Sequence, residues 1–293
     1  MRLNAALPLR VGLFVHRLVG KVFYRIAPKL RHVARRNLEI CFPELEPRAI
    51  ELLVKRHFEA LAMSIAECAV AWLGPERDID GRFDIIGREH LHGALARGKG
   101  VILYTGHFTT LEICGQPFKR LVPHFAAMFS HRSSELLEEI QRRGRSRIAH
   151  ETISRDSVRS MLKSLKHNSV IWYAPDLMYR DGVLLPFFHE LAMTNIATGK
   201  LARLSGATVL PFAYRRLAPA ARYELRFHAP LDDFPSNDPV EDTRRLVRYL
   251  EDFVRQCPEQ YQWMQKRFKA RPPELPDLYR VDARSARSRG AAS

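Results

Sequence analysis

The sequence predicts an α/β protein: a single, mostly parallel sheet flanked by helices, with an amphipathic, hydrophobic helix at the N-terminus. Three observations carry this. From about residue 83, short apolar runs alternate with amphipathic stretches, the texture of repeated strand-helix units. Two of those runs, Val101–Tyr104 and Val170–Tyr173, are apolar without alternation, as strands buried on both faces are. Before Gly74-Pro75, two long stretches carry helical periodicity instead.

The first of these covers residues 7–27. Leu7, Leu9, Val11, Leu13, Phe14, Val15, Leu18, Val19, Val22, Phe23 and Ile26 are interrupted by Arg10, Arg17, Lys21 and Arg25. At ~100° per residue the four cations share one stripe, roughly 80° wide, with Val11, Val15, Leu18, Val19, Val22 and Ile26 on the far side. A spanning helix needs ~20 apolar residues with few charges. This stretch fits better in the membrane interface, with its apolar face down and its cations at the headgroups. The alternative is an amphipathic helix docked on the rest of the protein. No small-residue cleavage site follows, so a secretory signal is not expected. Arg31, His32, Arg35 and Arg36 add charge. Pro47 suits the first turn of a helix that runs to about Trp72, with Leu53, Phe58, Leu61, Ile65 and Trp72 in its apolar pattern.

Strands are expected at Phe83–Ile86, Val101–Tyr104, Phe125–Phe129, Val170–Tyr173, Thr208–Tyr214 and Tyr223–His228. Between them lie helices at Glu89–Arg97, Ser134–Arg145, a stretch capped by Ser154 and ending near Leu165, and Thr194–Leu204 closed by Gly206. Val240–Arg255 is the last long helix. The Arg-, Ser- and Ala-rich residues 281–293 read as a disordered tail. No internal repeat is present.

The chain has 293 residues, enough for one large domain and an appended N-terminal element. Its net charge of +15 calls for an anionic partner: nucleic acid, an acidic membrane surface, or an acidic carrier or substrate. Cys41, Cys68, Cys114 and Cys257 are far apart and form no CxxC pair, so neither a zinc knuckle nor a disulfide framework is indicated. There is no GxSxG nucleophile elbow and no phosphate-binding Walker loop. His189-Glu190 begins like a zincin helix, but Met193 stands where its second His belongs. The basic run Gln141–Arg147 is either a phosphate grip or a solvated helix end; it lacks the interleaved aromatics of a single-strand binder.

In open α/β sheets, ligands bind beyond the carboxyl ends of the strands. Three runs here end in ionisable residues: Val101–Tyr104 leads to His107, Phe125–Phe129 to His131 and Arg132, and Val170–Tyr173 to Asp176. Gly106 permits a sharp turn before His107, and Glu112 follows five residues later. A carboxylate on one imidazole nitrogen fixes the tautomer and leaves the other nitrogen basic. His107 and Glu112 therefore form a candidate base and orienter with no nucleophilic side chain beside them. The alternative is a histidine that caps or packs at a strand end.

The chain resembles the late acyltransferases of lipid A biosynthesis, the lauroyl and myristoyl transferases. The resemblance rests on His107, four residues and Glu112; on Ala34–Glu39 followed by Cys41-Phe42-Pro43; and on Trp172–Asp176. Arg132, Gly144-Arg145, Ala197–Ala207 with Pro211-Phe212, Pro258–Trp263 and Arg267-Phe268-Lys269 add to it, in order over about residues 31–280. It implies a fold of the glycerolipid acyltransferase kind, with a membrane-associating helix at 1–30 and an acyltransferase domain at 31–280. It implies transfer of a fatty acyl chain, from an acyl-carrier-protein or acyl-CoA thioester, to a hydroxyl of a phosphorylated glycolipid in lipopolysaccharide biosynthesis. The expected place is the cytoplasmic face of the inner membrane of a Gram-negative cell. On this reading His107 is the base and Glu112 its orienter. Arg132 and Arg145 contact acceptor phosphate or the carrier's phosphopantetheine, and Asp176 positions an arginine or a substrate hydroxyl. No metal or other cofactor is expected. The partners are the carrier protein, the glycolipid and an anionic membrane surface, not nucleic acid. The rival readings are an acyltransferase for another glycolipid or a lysophospholipid, and a basic membrane- or nucleic-acid-binding protein with a dead site.

Overall fold

The computed structural model describes residues 7–75, 79, 81–129, 135–154, 156–218 and 221–280. The tail at 281–293 lies outside the described residues. Among the described residues, three helices come first: α1 (Leu9–Ile26), α2 (Pro28–Cys41) and α3 (Pro47–Leu73). A seven-stranded sheet follows, in the order β1 (Phe83–Ile86), β9 (Arg222–Phe227), β8 (Thr208–Leu217), β2 (Val101–Tyr104), β5 (Val170–Tyr173), β3 (Phe125–Phe129) and β4 (Glu151–Ser154). Every neighbouring pair is parallel except β8 with β9. The mostly parallel sheet read from the sequence is therefore present. The apolar β2 and β5 sit at its centre, and both are buried along their whole length.

Helices α4 (Arg88–Ala96), α5 (Leu111–Gly115), α6 (Phe118–Leu121), α7 (Glu135–Ile148), α8 (Val158–Lys166) and α9 (Ala197–Ser205) connect the strands, and α10 (Pro239–Gln256) follows the last of them. Helix α2 and strand β4 escape the sequence reading, and so does a hairpin of β6 (Val183–Phe187) with β7 (Glu190–Thr194), which forms a separate two-stranded sheet. The hairpin is pinned where Phe188 N–H donates to Glu251 at 2.6 Å and where Arg267 donates to Thr194 Oγ1 at 2.8 Å. The helix expected from Thr194 consequently starts at Ala197. Nor is Ser154 the cap of α8: it ends β4, and the Ser157 hydroxyl accepts from Ser160 N–H instead.

Helix α1 carries three distinct faces. Leu9, Gly12, Leu13, His16 and Gly20 are buried, and the helix lies along α3 with Phe23 and Tyr24 on the Phe58 ring. Arg10, Arg17, Lys21 and Arg25 run beside that face, and Arg17 reaches Glu59 of α3 at 2.7 Å. The third face exposes Val11, Val15, Leu18, Val19, Val22 and Ile26, and Phe14 is exposed among the cations. Among the described residues, no helix is long and apolar enough to cross a membrane.

Buried polar side chains tie the helical layer to the sheet and to the C-terminal segment. Arg216 of β8 holds Glu67 of α3 through two hydrogen bonds of 2.6 and 2.7 Å, and Tyr223 of β9 donates to the same carboxylate at 2.8 Å. Asn37 of α2 donates to the carbonyls of Trp263 and Gln265 at 2.6 and 2.8 Å and accepts from Tyr279 at 2.6 Å. His57 of α3 is fully buried and donates from Nδ1 to the carbonyl of Glu259, in the 3₁₀ turn Pro258–Gln260, at 3.1 Å. Burial lowers the His57 pKa from the ordinary 6.5 to about 4.

A depressed histidine pKa makes the folded state bind fewer protons than the unfolded chain. Stability is then full above pH 6.5 and falls as the pH drops toward 4, by about 3 kcal/mol in all. Thermal denaturation across this window should show a steeper loss for the parent than for His57→Gln. Parallel curves would mean that His57 takes no part.

Candidate active site

From β2 the chain runs to β3, and from β5 it crosses back over β2 to β8. The direction of winding therefore reverses between β2 and β5. Such a switch point opens a crevice beyond the carboxyl ends of the two strands. Tyr104 and Tyr173 are paired in register, and Thr105 N–H extends the ladder to the carbonyl of Tyr173 at 3.0 Å. His107 and Asp176 each follow three residues beyond that pair, so the two turns place them face to face.

Asp176 accepts His107 Nδ1–H at 2.5 Å on one oxygen and His107 backbone N–H at 2.8 Å on the other. The Tyr261 ring lies nearby, since a Cβ on Gly106 would meet both Asp176 Oδ2 and Tyr261 Cε2. The carboxylate is wholly buried while the imidazole is 34% exposed, so the acid is inside and the ring looks out. Burial alone would raise the Asp176 pKa. The charge of a protonated His107 and its two hydrogen bonds outweigh it and hold the carboxyl below its ordinary range. With Nδ1 donating, the neutral ring is bare at Nε2, which is the basic form.

The turn that carries His107 is braced on both sides. Tyr214 of β8 donates to Gly106 carbonyl at 2.8 Å and accepts Phe108 N–H at 3.2 Å. The segment after the 3₁₀ turn clamps the backbone: Thr109 N–H donates to Gln260 and Gln262 N–H to His107, at 2.8 and 3.0 Å. Gly106 is required by close approach. A Cβ there would stand 2.6 Å from Leu250 Cδ1 and 3.0 Å from Asp176 Oδ2.

Glu112 does not orient His107. It lies at the start of α5 and accepts Arg145 of α7 at 2.6 Å and Trp72 Nε1–H at 3.0 Å. The five-residue spacing turns Glu112 toward α3 and α7, and the orienting carboxylate arrives from the neighbouring strand instead. Arg145 is likewise engaged: it holds Glu112 and donates to the carbonyl of Met128, and its side chain is 12% exposed. That leaves it unsuited to hold a substrate phosphate. Gly144 beside it lets the Trp72 ring lie against α7, since a Cβ there would stand 2.2 Å from Trp72 Cδ2. Arg132 and His131 lie outside the described residues. Among the described residues, no group of three or more His, Cys, Asp or Glu side chains is arranged to hold a metal ion.

A family model described as bacterial lipid A biosynthesis acyltransferase matches residues 1–270. The chain belongs to that family. The acyltransferase is 33% identical over 264 residues to the lipid A biosynthesis lauroyltransferase of Escherichia coli K12, covering 89% of this chain and 86% of that protein. It is 31% identical to the palmitoleoyltransferase of the same strain, over 93% of this chain and 90% of that one. The myristoyltransferase is 27% identical, over 87% and 80%. Among solved structures, an acyl-glycerophosphate acyltransferase from Thermotoga maritima aligns over 84% of the acyltransferase and 99% of its own chain, with 14% identity and a TM-score of 0.39.

Sequence reasoning missed Tyr261 and Tyr214 and assigned Asp176 a different task. One signal was available for Asp176: the two central apolar runs each end three residues before an ionisable side chain. The Glu112–Arg145 pair carries its own test. Breaking a largely buried ion pair by removing one partner costs about 3 kcal/mol or more, because the other charge is left alone. Glu112→Gln and Arg145→Met should each destabilise the acyltransferase by that order in denaturant unfolding, and the double variant should lose little more than either. Additive losses would show that the two side chains act separately.

Proposed function

We propose that the acyltransferase moves a fatty acyl chain from an acyl-carrier-protein thioester to a hydroxyl of a phosphorylated lipid A precursor, with His107 as general base and Asp176 as its orienter. One observation supports this above the rest: the 2.5 Å hydrogen bond from His107 Nδ1 to a buried carboxylate, on a ring whose other edge is accessible. Nε2 takes the proton of the acceptor hydroxyl, and Asp176 stabilises the imidazolium that forms. The alkoxide oxygen bonds to the thioester carbonyl carbon. The tetrahedral intermediate then collapses, the carbon–sulfur bond breaks, and the leaving thiolate takes the proton back from His107. No covalent enzyme intermediate is needed. Arg132, three residues after Phe129 in the sequence, is the proposed contact for an anionic group of the acceptor or carrier; its planar fork suits phosphate.

The same reading puts the protein on the cytoplasmic face of the inner membrane, with α1 lying in the interface. The exposed apolar face of α1 stands beside its cationic stripe, the pairing that suits anionic lipid. The net charge of +15 suits both that surface and an acidic carrier protein.

Acyl transfer to a lipid A precursor, followed by mass spectrometry, tests the chemistry. His107→Ala should lose on the order of 10²–10⁴-fold in kcat. Asp176→Asn should lose about 10³-fold or more, because an amide favours the wrong tautomer. Glu112→Gln should lose far less per folded molecule. A dead Glu112→Gln beside a fully active Asp176→Asn would overturn the assignment.

Co-sedimentation with vesicles tests the surface. Binding to anionic vesicles should weaken, without vanishing, as salt is raised, and Val15→Glu with Val22→Glu should abolish it. Equal binding by the double variant would remove α1 from the contact.

A further inference from the structure

Three neighbouring strands each deliver one residue at the same height. Tyr173, Tyr104 and Pro211 lie in register across β5, β2 and β8, and Asp176, His107 and Tyr214 each stand three residues further on. The acid and the base are the first two of these. Tyr214 is 1% exposed and wedged among rings, edge-on to Phe108 at 5.4 Å and to Trp172 at 4.6 Å. Its hydroxyl spans His107: it donates to the carbonyl before that residue, at Gly106, and accepts the N–H after it, at Phe108. The Gly106–His107 peptide is thereby held at both ends. Its carbonyl meets the Tyr214 hydroxyl at 2.8 Å, and its N–H meets Asp176 Oδ2 at 2.8 Å. Gly106 has no Cβ to restrict its backbone, so the hydroxyl supplies the restriction.

We propose that Tyr214 is a positioning residue for the acyl-transfer reaction: it fixes the turn so that the His107 backbone N–H and the ring Nδ1–H reach the Asp176 carboxylate together. This deepens the reading of His107 as base and rests on it. A carbonyl that accepts a hydrogen bond makes the N–H of the same amide a better donor, so the phenol also strengthens the anchor of Asp176. Without the hydroxyl, the Gly106 carbonyl and the Phe108 N–H are buried and lose this partner, and the turn relaxes. Both His107 bonds to the acid then lengthen, the imidazolium loses stabilisation, and the base weakens. Burial keeps the hydroxyls of Tyr104 on β2, Tyr173 on β5, Tyr214 on β8 and Tyr261 protonated, and the Cys114 thiol of α5 with them. The charged groups on the elements around the pair are engaged elsewhere. Glu112 of α5 is paired with Arg145, Glu251 of α10 accepts Phe188 N–H, and Arg267 donates to Thr194.

The test is Tyr214→Phe, which keeps the ring and removes one oxygen. The backbone N–H and Nδ1–H resonances of His107, which need no turnover, should both move upfield. The acid limb of kcat/KM should move down by about half a unit, and kcat should fall about tenfold with KM unchanged. A 3-fluorotyrosine placed at 214 keeps the hydroxyl and is a stronger donor. It should move the His107 backbone N–H resonance downfield, and it serves also if the phenylalanine variant does not fold. A limb and resonances that stay in place overturn the inference even if stability or kcat falls, because a residue that only packs would give those losses alone. His107→Ala separates the two levels. Parent-like turnover there removes the base itself, whereas a dead His107→Ala with unmoved resonances in Tyr214→Phe removes only the role of Tyr214.

Discussion

A carboxylate without water must find donors, and Asp176 is wholly buried at the centre of the sheet. Much of the molecule serves that requirement. The parallel register of β2 and β5 brings the His107 backbone N–H and ring to one side of the acid. The C-terminal segment pairs with the His107 turn through the Phe108–Tyr261 bridge, and is itself held down by Asn37 and His57 from the helical layer. Gly106 leaves the space in which all of this closes. The price is a site that depends on three distant parts of the chain at once.

The helical layer has a comparable logic built from different contacts. The Glu67 carboxylate is buried in α3 and is met by Arg216 and Tyr223 from the sheet. Glu112 is met by Arg145 and Trp72, and Arg147 donates to the carbonyls of Trp72 and Gly74 where α3 ends. Two acids and three arginines therefore lock α3 to the sheet and to α7. Because α1 lies along α3, the face it leaves open is set rigidly with respect to the His107 crevice.

The central architecture was legible because buried parallel strands have a plain signature: β2 and β5 are unbroken apolar runs, and both strands and the helices around them stand close to where periodicity puts them. Strand β4 was not legible, since it is an edge strand with one buried residue, Ile153, among polar neighbours. The hairpin was missed because it contains Pro186 and turns through Phe188 at φ 56°, a left-handed conformation that no Gly or Asn announces. At the site, the positions of His107 and Asp176 could be read from strand ends. Their partnership could not, because spacing along one strand says nothing about which strand lies beside it. Glu112 was near His107 in sequence, and the helical start of α5 turned it elsewhere. Tyr261 is 154 residues from His107, and no local pattern links them.

The bridge between Phe108 and Tyr261 also bears on how the protein is made. A nascent chain carries His107 and Asp176 out of the ribosome long before Tyr261, Gln262 and Trp263 follow. Until that last segment emerges and settles on Asn37, the His107 turn has only the Tyr214 brace from β8 and lacks its backbone hydrogen bonds to Gln260 and Gln262. The base is therefore completed by the docking of the final described stretch, and a product truncated before it would hold the sheet's apolar core but only part of a site. Competence at the crevice reports that synthesis has reached residue 263 and that the C-terminal segment has closed onto the helical layer.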